Sequence, residues 1–155
     1  FLDSSSTVSY LCPFLKACKN LTVITNGLNV ATLLSNAPGV RVYVCPGQLK
    51  NKSLSIIGEY STNFLDNFRA DTFFFSCKAI NKLGIFEGDD FQALTKRSML
   101  KNANKKILLC DSTKEHAVGY FKLTSFQNLD FLISDAPFSE DVMNAINASG
   151  ASFIS

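Results

Sequence analysis

Phe1-Leu2-Asp3-Ser4-Ser5-Ser6-Thr7 is the stretch on which the fold turns. An apolar start gives way to small hydroxyl residues, and a segment of helical period, Thr7 to Cys18, follows. That order describes a junction from strand to helix. The first backbone N–H groups of a helix lack an internal partner and the helix dipole is positive there, so a phosphate or carboxylate binds readily. Serine and threonine hydroxyls add donors without bulk. The same residues also serve as ordinary helix caps, and the stretch by itself leaves both readings open. Similar polar groups at the ends of later apolar runs favour the anion site.

Outward from this junction the chain alternates. Strand-like runs fall at Leu21 to Ile24, Val40 to Val44, Thr72 to Cys77, Lys106 to Cys110 and Phe131 to Ile133, with a short one expected at Leu54 to Ile57. Helical periods fall between them, at Leu28 to Asn36, Tyr60 to Phe68, Asp90 to Ala103 and Glu140 to Ala148. Strand and helix in turn predict an α/β fold: three-layer and Rossmann-like, with a largely parallel sheet covered by helices on both faces. Pro13 predicts a kink or break of the first helix near Ser9. In the helix from Asp90, a stripe of Phe91, Leu94, Arg97-Ser98 and Leu100-Lys101 is read as the packing face, with Asp90 as N-cap. Asn81 to Asp90, with Gly84, Gly88 and a charge cluster, is read as a flexible loop able to close over a ligand.

Composition narrows the class. The 155 residues fit a single domain, and 46% hydrophobic against 18% charged residues describes a folded globular chain. A net charge of +2 is too small to imply that this segment binds nucleic acid, and Lys50-Asn51-Lys52 reads as solvated surface. No apolar run approaches the ~18 residues of a membrane span. The five cysteines form no Cys-x-x-Cys pair, and Cys45, Cys77 and Cys110 sit in strand-like runs where a thiol packs as a small hydrophobe; no metal or other cofactor is expected. The cytoplasm is the expected compartment. Phe1 reads as lying inside a strand, so the chain is expected to be cut from something longer.

In open α/β sheets ligands bind beyond the carboxyl ends of the strands. The residues at those ends are Asp3, Ser5, Ser6 and Thr7, then Thr25-Asn26, Pro46-Gly47, Lys78, and Asp111 with Lys114; Lys96, within the fourth helix, adds charge. Hydroxyls and amides around lysines suit a phosphate.

The ordered set Phe1 to Thr7, Thr25-Asn26, Gly47-Gln48-Leu49, Gly58, Phe68-Arg69-Ala70-Asp71, Lys96-Arg97, Asp111-Ser112-x-Lys114, Asp130 to Asp135 and Gly150 to Ile154 resembles the C-terminal sensor domain of the DeoR family of bacterial transcriptional regulators. The resemblance runs the length of the chain. It implies a fold like that of ribose-5-phosphate isomerase and the CoA transferases, and a phosphorylated sugar or polyol as effector. It also implies a winged-helix DNA-binding domain N-terminal to Phe1, through which alone DNA is bound, and a homodimer or homotetramer.

Departures from the family pattern are specific. Ser5 stands where the family usually has Gly, Pro46-Gly47 where it has Gly-Gly, and Cys77-Lys78-Ala79 where it has Ala-Asp-Gly. Gln92 and Leu94 stand where it tends to place a carboxylate. Gaining Lys78 and losing acids implies a more highly charged ligand, such as a diphosphate or acidic sugar phosphate, unless Lys78 points away or pairs with Asp111 or Asp89. On this reading Ser5, Ser6 and Thr7 hold the phosphate, Lys96 and Lys114 supply charge, and Asp3, Asn26 and Asp111 meet sugar hydroxyls. Lys96→Ala should then weaken binding with the fold intact. Two alternatives stand beside it: a sugar-phosphate isomerase-like enzyme, which needs a positioned carboxylate as base, and an oligomerisation module whose pocket has lapsed.

Overall fold

The computed structural model describes residues 1–155. In chain order the elements are α1 (Ser6–Ser9), α2 (Cys12–Leu15), β1 (Leu21–Thr25), α3 (Leu28–Leu34), β2 (Val40–Val44), β3 (Gln48–Lys50) and β4 (Ser55–Ile57). Then follow α4 (Glu59–Leu65), β5 (Ala70–Phe75), β6 (Ala79–Asn81), β7 (Gly84–Glu87), α5 (Asp90–Lys101) and β8 (Ala103–Leu109). The chain ends with β9 (Phe121–Thr124), β10 (Phe131–Ile133), α6 (Glu140–Ser149) and β11 (Ser152–Ile154).

Strands β5, β8, β10 and β11 form a four-stranded parallel sheet, and β1 pairs with β2, also in parallel. Phe1–Asp3 ties the two together. Leu2 N donates to Ile24 O at 3.0 Å on one side, and on the other Asp3 N donates to Phe74 O at 3.2 Å and Phe74 N to Phe1 O at 3.1 Å. The strands are short apolar runs because successive residues feed two separate buried clusters. Phe1, Ile24, Phe73, Phe75 and Leu108 belong to the larger cluster, together with Leu65 of α4, Met99 and Leu100 of α5, and Val142 and Ile146 of α6. Leu2 and Val23 belong to the smaller, with Val8, Cys12, Val30 and Leu34 from the first three helices. In the larger cluster Phe73 and Phe75 stack with centroids 4.8 Å apart, and such a ring truncated to Ala costs about 3–5 kcal/mol.

Five expected strands are present within a few residues of their predicted bounds, as is the short one at β4. The first predicted helix is broken as Pro13 requires: α1 ends at Ser9, and Pro13 sits in the first turn of α2, where its missing N–H breaks no intrahelical bond.

Two expectations are overturned. Asn81 to Asp90 is no closing loop: β6 and β7 make an antiparallel hairpin, and β9 adds a third strand. Ile80 and Ile85 are buried, Asn81 Oδ1 accepts from Leu83 N at 2.8 Å within the turn, and Gly84 takes φ +130°, with Thr124 O where a β-carbon would stand. The charges that suggested a solvated loop are engaged. Glu87 is buried, and Asp89, not Asp90, caps α5, its Oδ1 accepting from Gln92 N at 3.0 Å. Nor is the packing face of α5 the predicted one. Leu100 of the predicted stripe is buried, but Phe91 and Leu94 are about half exposed, and Ala93, Lys96 and Met99 face inward. A lysine on the buried side breaks the apolar stripe, so the periodicity points to the wrong face.

Candidate functional site

At the carboxyl ends of the central strands lies a polar cavity of about 390 Å³. Its walls are the Ser4–Thr7 turn, Asn29 of α3, the Lys52-Ser53-Leu54 loop, Ser76-Cys77-Lys78 after β5, Glu87, Gln92 and Lys96 of α5, and Lys114. Of the residues singled out from sequence, Ser5, Ser6, Thr7, Lys78, Lys96 and Lys114 are brought together here. Asp3, Thr25, Asn26, Gly47 and Asp111 do not line it.

Beneath the cavity sits a buried ionic cluster. Lys96 Nζ contacts Asp3 Oδ2 at 2.8 Å and Glu87 Oε1 at 2.6 Å, and donates to Ser76 O at 2.8 Å. All three ammonium hydrogens have a partner, and the three side chains are at most 5% exposed. Burial by itself pushes the ammonium pKa down. The charges and hydrogen bonds of Asp3 and Glu87 outweigh it and hold the pKa well above the ordinary lysine value. Two carboxylates against one ammonium leave one net negative charge. Lys96 is thus neutralised from below, a role that its place in the sequence alone did not show.

Asp3 is committed on every side. Oδ1 accepts from Ser5 N at 2.9 Å and from Ser5 Oγ at 2.5 Å, and Oδ2 accepts from Ser76 N at 3.0 Å. These bonds, with Lys96, fix the turn between the first strand and α1 against the end of β5. Ser5 in turn caps α1, its Oγ accepting from Val8 N at 3.2 Å. The capping reading holds for Ser5, and Ser4, Ser5, Ser6 and Thr7 all border the cavity.

Thr25 Oγ1 accepts from Gly27 N at 3.0 Å, and Asn26 Nδ2 donates to Ile56 O at 3.1 Å. Both are buried; the Thr25 bond closes the turn after β1, and Asn26 joins that turn to β4. Gly47 takes φ +144°, and a β-carbon there would lie 2.5 Å from Ile57 O and 2.8 Å from Ser61 Oγ, so close backbone approach explains this glycine. Asp111 stands outside the cavity, accepts from Thr113 Oγ1 and lies 3.7 Å from Lys114 Nζ. Lys78 is exposed and has neither Asp89 nor Asp111 as an ion-pair partner; Asp89 pairs with Lys50 at 2.7 Å.

Sequence reasoning missed Lys52, Ser53 and Ser76 as wall residues, and missed Glu87 as a partner of Lys96. Gln92 had been noted only as a departure. It donates from Nε2 to Ser53 Oγ at 3.1 Å and to Ser55 Oγ at 3.2 Å, pinning the loop over the cavity to α5. The Ser112 backbone N–H donates to Asp135 Oδ1 at 2.7 Å, which lowers the Asp135 pKa.

A parallel sheet with a lysine-bearing cavity at its carboxyl ends is the frame of a small-molecule-binding α/β domain. Comparison with known proteins makes the assignment specific. The DeoR C terminal sensor domain model matches residues 1–136, and the chain belongs to that family. It is 33% identical over 135 residues to the HTH-type transcriptional regulator GolR of Listeria innocua, covering 86% of this chain and 53% of that protein. It is 29% identical over 147 residues to the glycerol-3-phosphate regulon repressor of Escherichia coli, covering 94% and 58%. Against the putative aga operon transcriptional repressor of Escherichia coli O157:H7 the figures are 27% over 154 residues, covering 99% and 57%. The chain spans about half the length of the curated relatives it matches. No helix is long and apolar enough to cross a membrane.

Proposed function

We propose that this chain is the effector-sensing part of a cytoplasmic transcriptional repressor of sugar metabolism, and that its cavity takes a phosphorylated sugar or polyol. The observation that carries this is the convergence of Lys52, Lys78 and Lys114 with the Ser4–Thr7 turn on one cavity at the strand ends. The phosphate sits among these cations and hydroxyls, away from the buried cluster. The name of one relative, the glycerol-3-phosphate regulon repressor, supports an effector of this chemical kind. Two buried clusters on alternate residues of the strands support the three-layer arrangement of the ribose-5-phosphate isomerase and CoA-transferase folds.

DNA binding belongs to a winged-helix domain preceding Phe1, and the working form is a homodimer or homotetramer. No catalysis is assigned, because Glu87, the carboxylate in the cavity wall, is bound to Lys96, as is Asp3 behind it. With the Asn81 to Asp90 segment held in a hairpin, occupancy is transmitted through the Ser4–Thr7 turn and the Lys52–Leu54 loop rather than by closure of a lid. The ligand shifts the repressor only by its difference in affinity for two states.

A thermal-shift screen against sugar phosphates, diphosphates and the matching unphosphorylated sugars tests this, since a ligand of the native state raises the melting temperature. A rise specific to phosphorylated compounds is expected. No rise with any of them at millimolar concentration, in a protein that forms a stable dimer or tetramer, would favour an oligomerisation module with a lapsed pocket.

A further inference from the structure

At the opposite end of the sheet from the cavity, β1 and β5 run side by side without touching. Between them lies a mostly apolar groove of about 340 Å³, with Leu21 to Ile24 on one wall and Ala70, Asp71, Thr72 and Phe74 on the other. It is closed at one end by Phe1 and Leu2, and Leu15 and Phe68 also line it. A gap this wide in a parallel sheet has the shape of one more strand.

Register fixes what fits. Leu2 stands opposite Thr25 of β1 and Phe74 of β5, both in parallel. β1 starts at Leu21 and β5 at Ala70, each four positions before that partner. A strand in Leu2's register therefore runs four positions back from Leu2; Phe1 is the first of these, and three remain. Both walls give the same count.

The backbone groups along the groove match such a strand. Leu21 N donates to Gly39 O, and Cys45 N donates to Thr25 O, so the odd residues of β1 face β2. Thr22 and Ile24 face the groove, and Ile24 O already accepts from Leu2 N. On the other wall Phe74 bonds to Phe1 and Asp3, and Thr72 O accepts from the Phe1 nitrogen at 2.6 Å.

We infer that the three residues immediately upstream of Phe1 in the full-length protein fill this groove as a central parallel strand continuous with Phe1–Asp3. The family is by description a C-terminal domain, and the relatives are nearly twice as long as the part matched, which supplies the chain to do so. Side chains alternate along it. The residue before Phe1, and the third before it, face the cluster of Leu2 and Val23, while the second before it faces that of Phe1 and Phe73. All three are apolar or β-branched. In the completed ladder Ile24 N donates to the residue before Phe1, Thr22 N to the third before it, and Thr72 N to the second. One continuous strand then links the preceding part of the protein to the Ser4–Thr7 turn of the cavity. The inference rests on the groove and its register, not on the identity of the effector.

Hydrogen exchange of the full-length protein, read residue by residue, tests it. The amides of Thr22, Ile24 and Thr72 are expected to exchange as slowly as that of Val23, which faces β2, and at least about ten-fold more slowly than in residues 1–155 alone if that piece folds. Fast exchange at Thr22, Ile24 and Thr72 in a full-length chain that protects Val23 overturns the proposal. Protection that disappears on dilution to the monomer assigns the groove to a strand of a second copy, and overturns it as well.

Discussion

Lys96 Nζ and Asp3 Oδ2 meet at 2.8 Å under the floor of the cavity, with side chains 5% and 0% exposed. A lysine placed so is a structural ion before it is a ligand contact, which changes what its removal does.

Lys96→Ala leaves Asp3 and Glu87 buried together without a counter-charge. Breaking such a pair costs about 3–5 kcal/mol. The substitution is therefore expected to lower the urea midpoint of unfolding sharply, in contrast to the intact fold anticipated from sequence. A variant that binds poorly yet unfolds at the parent midpoint would show that the cluster does not stabilise the fold.

Lys78→Ala and Lys114→Ala behave in the opposite way. Lys78 has no ion-pair partner and Lys114 lies 3.7 Å from Asp111, partly exposed, and surface changes of this kind stay within about 0.5 kcal/mol of the parent stability. If the cavity takes a phosphate as proposed, each removes a charge-assisted contact to it, which corresponds to about a ten-fold or greater loss of affinity. Calorimetric titration checks this. Lys78→Asp, which places an acid where the resemblance implies one, is expected to penalise a diphosphate or acidic sugar phosphate more than a neutral-headed monophosphate.

Gly47→Ala tests a geometry of another kind, one of space rather than charge. The added methyl meets Ile57 O at 2.5 Å, and φ is +144°. Strain of this kind costs about 1–3 kcal/mol before any clash. Thermal unfolding should show the loss, and an unchanged melting temperature would mean that the Pro46-Gly47 corner relaxes freely.

Asp89 supplies a pH dependence. Burial pushes its pKa up, but the hydrogen bond and charge of Lys50 and the amide of Gln92 outweigh burial and hold it below the ordinary aspartate value. A lowered carboxylate contributes stability that is full above the unfolded value of about 4 and is lost as pH falls through the folded value. Asp89→Asn should thus be more destabilising at pH 6 than at pH 3. Denaturation midpoints at the two pH values read the difference, and an equal difference at both would remove the charge from the explanation.

The parallel sheet was legible because its strands are short apolar runs separated by helical periods. The hairpin of β6 and β7 was not, because Glu87, Asp89 and Asp90 look solvated when read along the chain. Their partners, Lys96, Lys50 and the first amides of α5, become neighbours only on folding. The same blindness put Phe91 and Leu94 on the packing face of α5: a stripe analysis counts a lysine as polar, whereas Lys96 is buried because two carboxylates from other elements meet it. At the cavity, the hydroxyl turn, Lys78 and Lys114 could be read from position at strand ends, whereas Lys52, in a charged run, looked like solvated surface. Gly47, Thr25 and Asn26 occupy such ends too, but Thr25 closes the turn after β1, Asn26 ties that turn to β4, and Gly47 serves close backbone approach to Ile57.

The Asp3 contact also acts on pairing. Asp3 bonds to Ser76, 73 positions away in the chain, through a strand whose side chains alternate between faces. A slip of one residue between Phe1–Asp3 and β5 would turn Asp3 to the other side of the sheet and bring Leu2 to the ammonium. The misaligned sheet would then hold an aspartate among hydrocarbon and a lysine half-compensated, so the cluster works as a register key, making the wrong alignment of the first strand costly during folding.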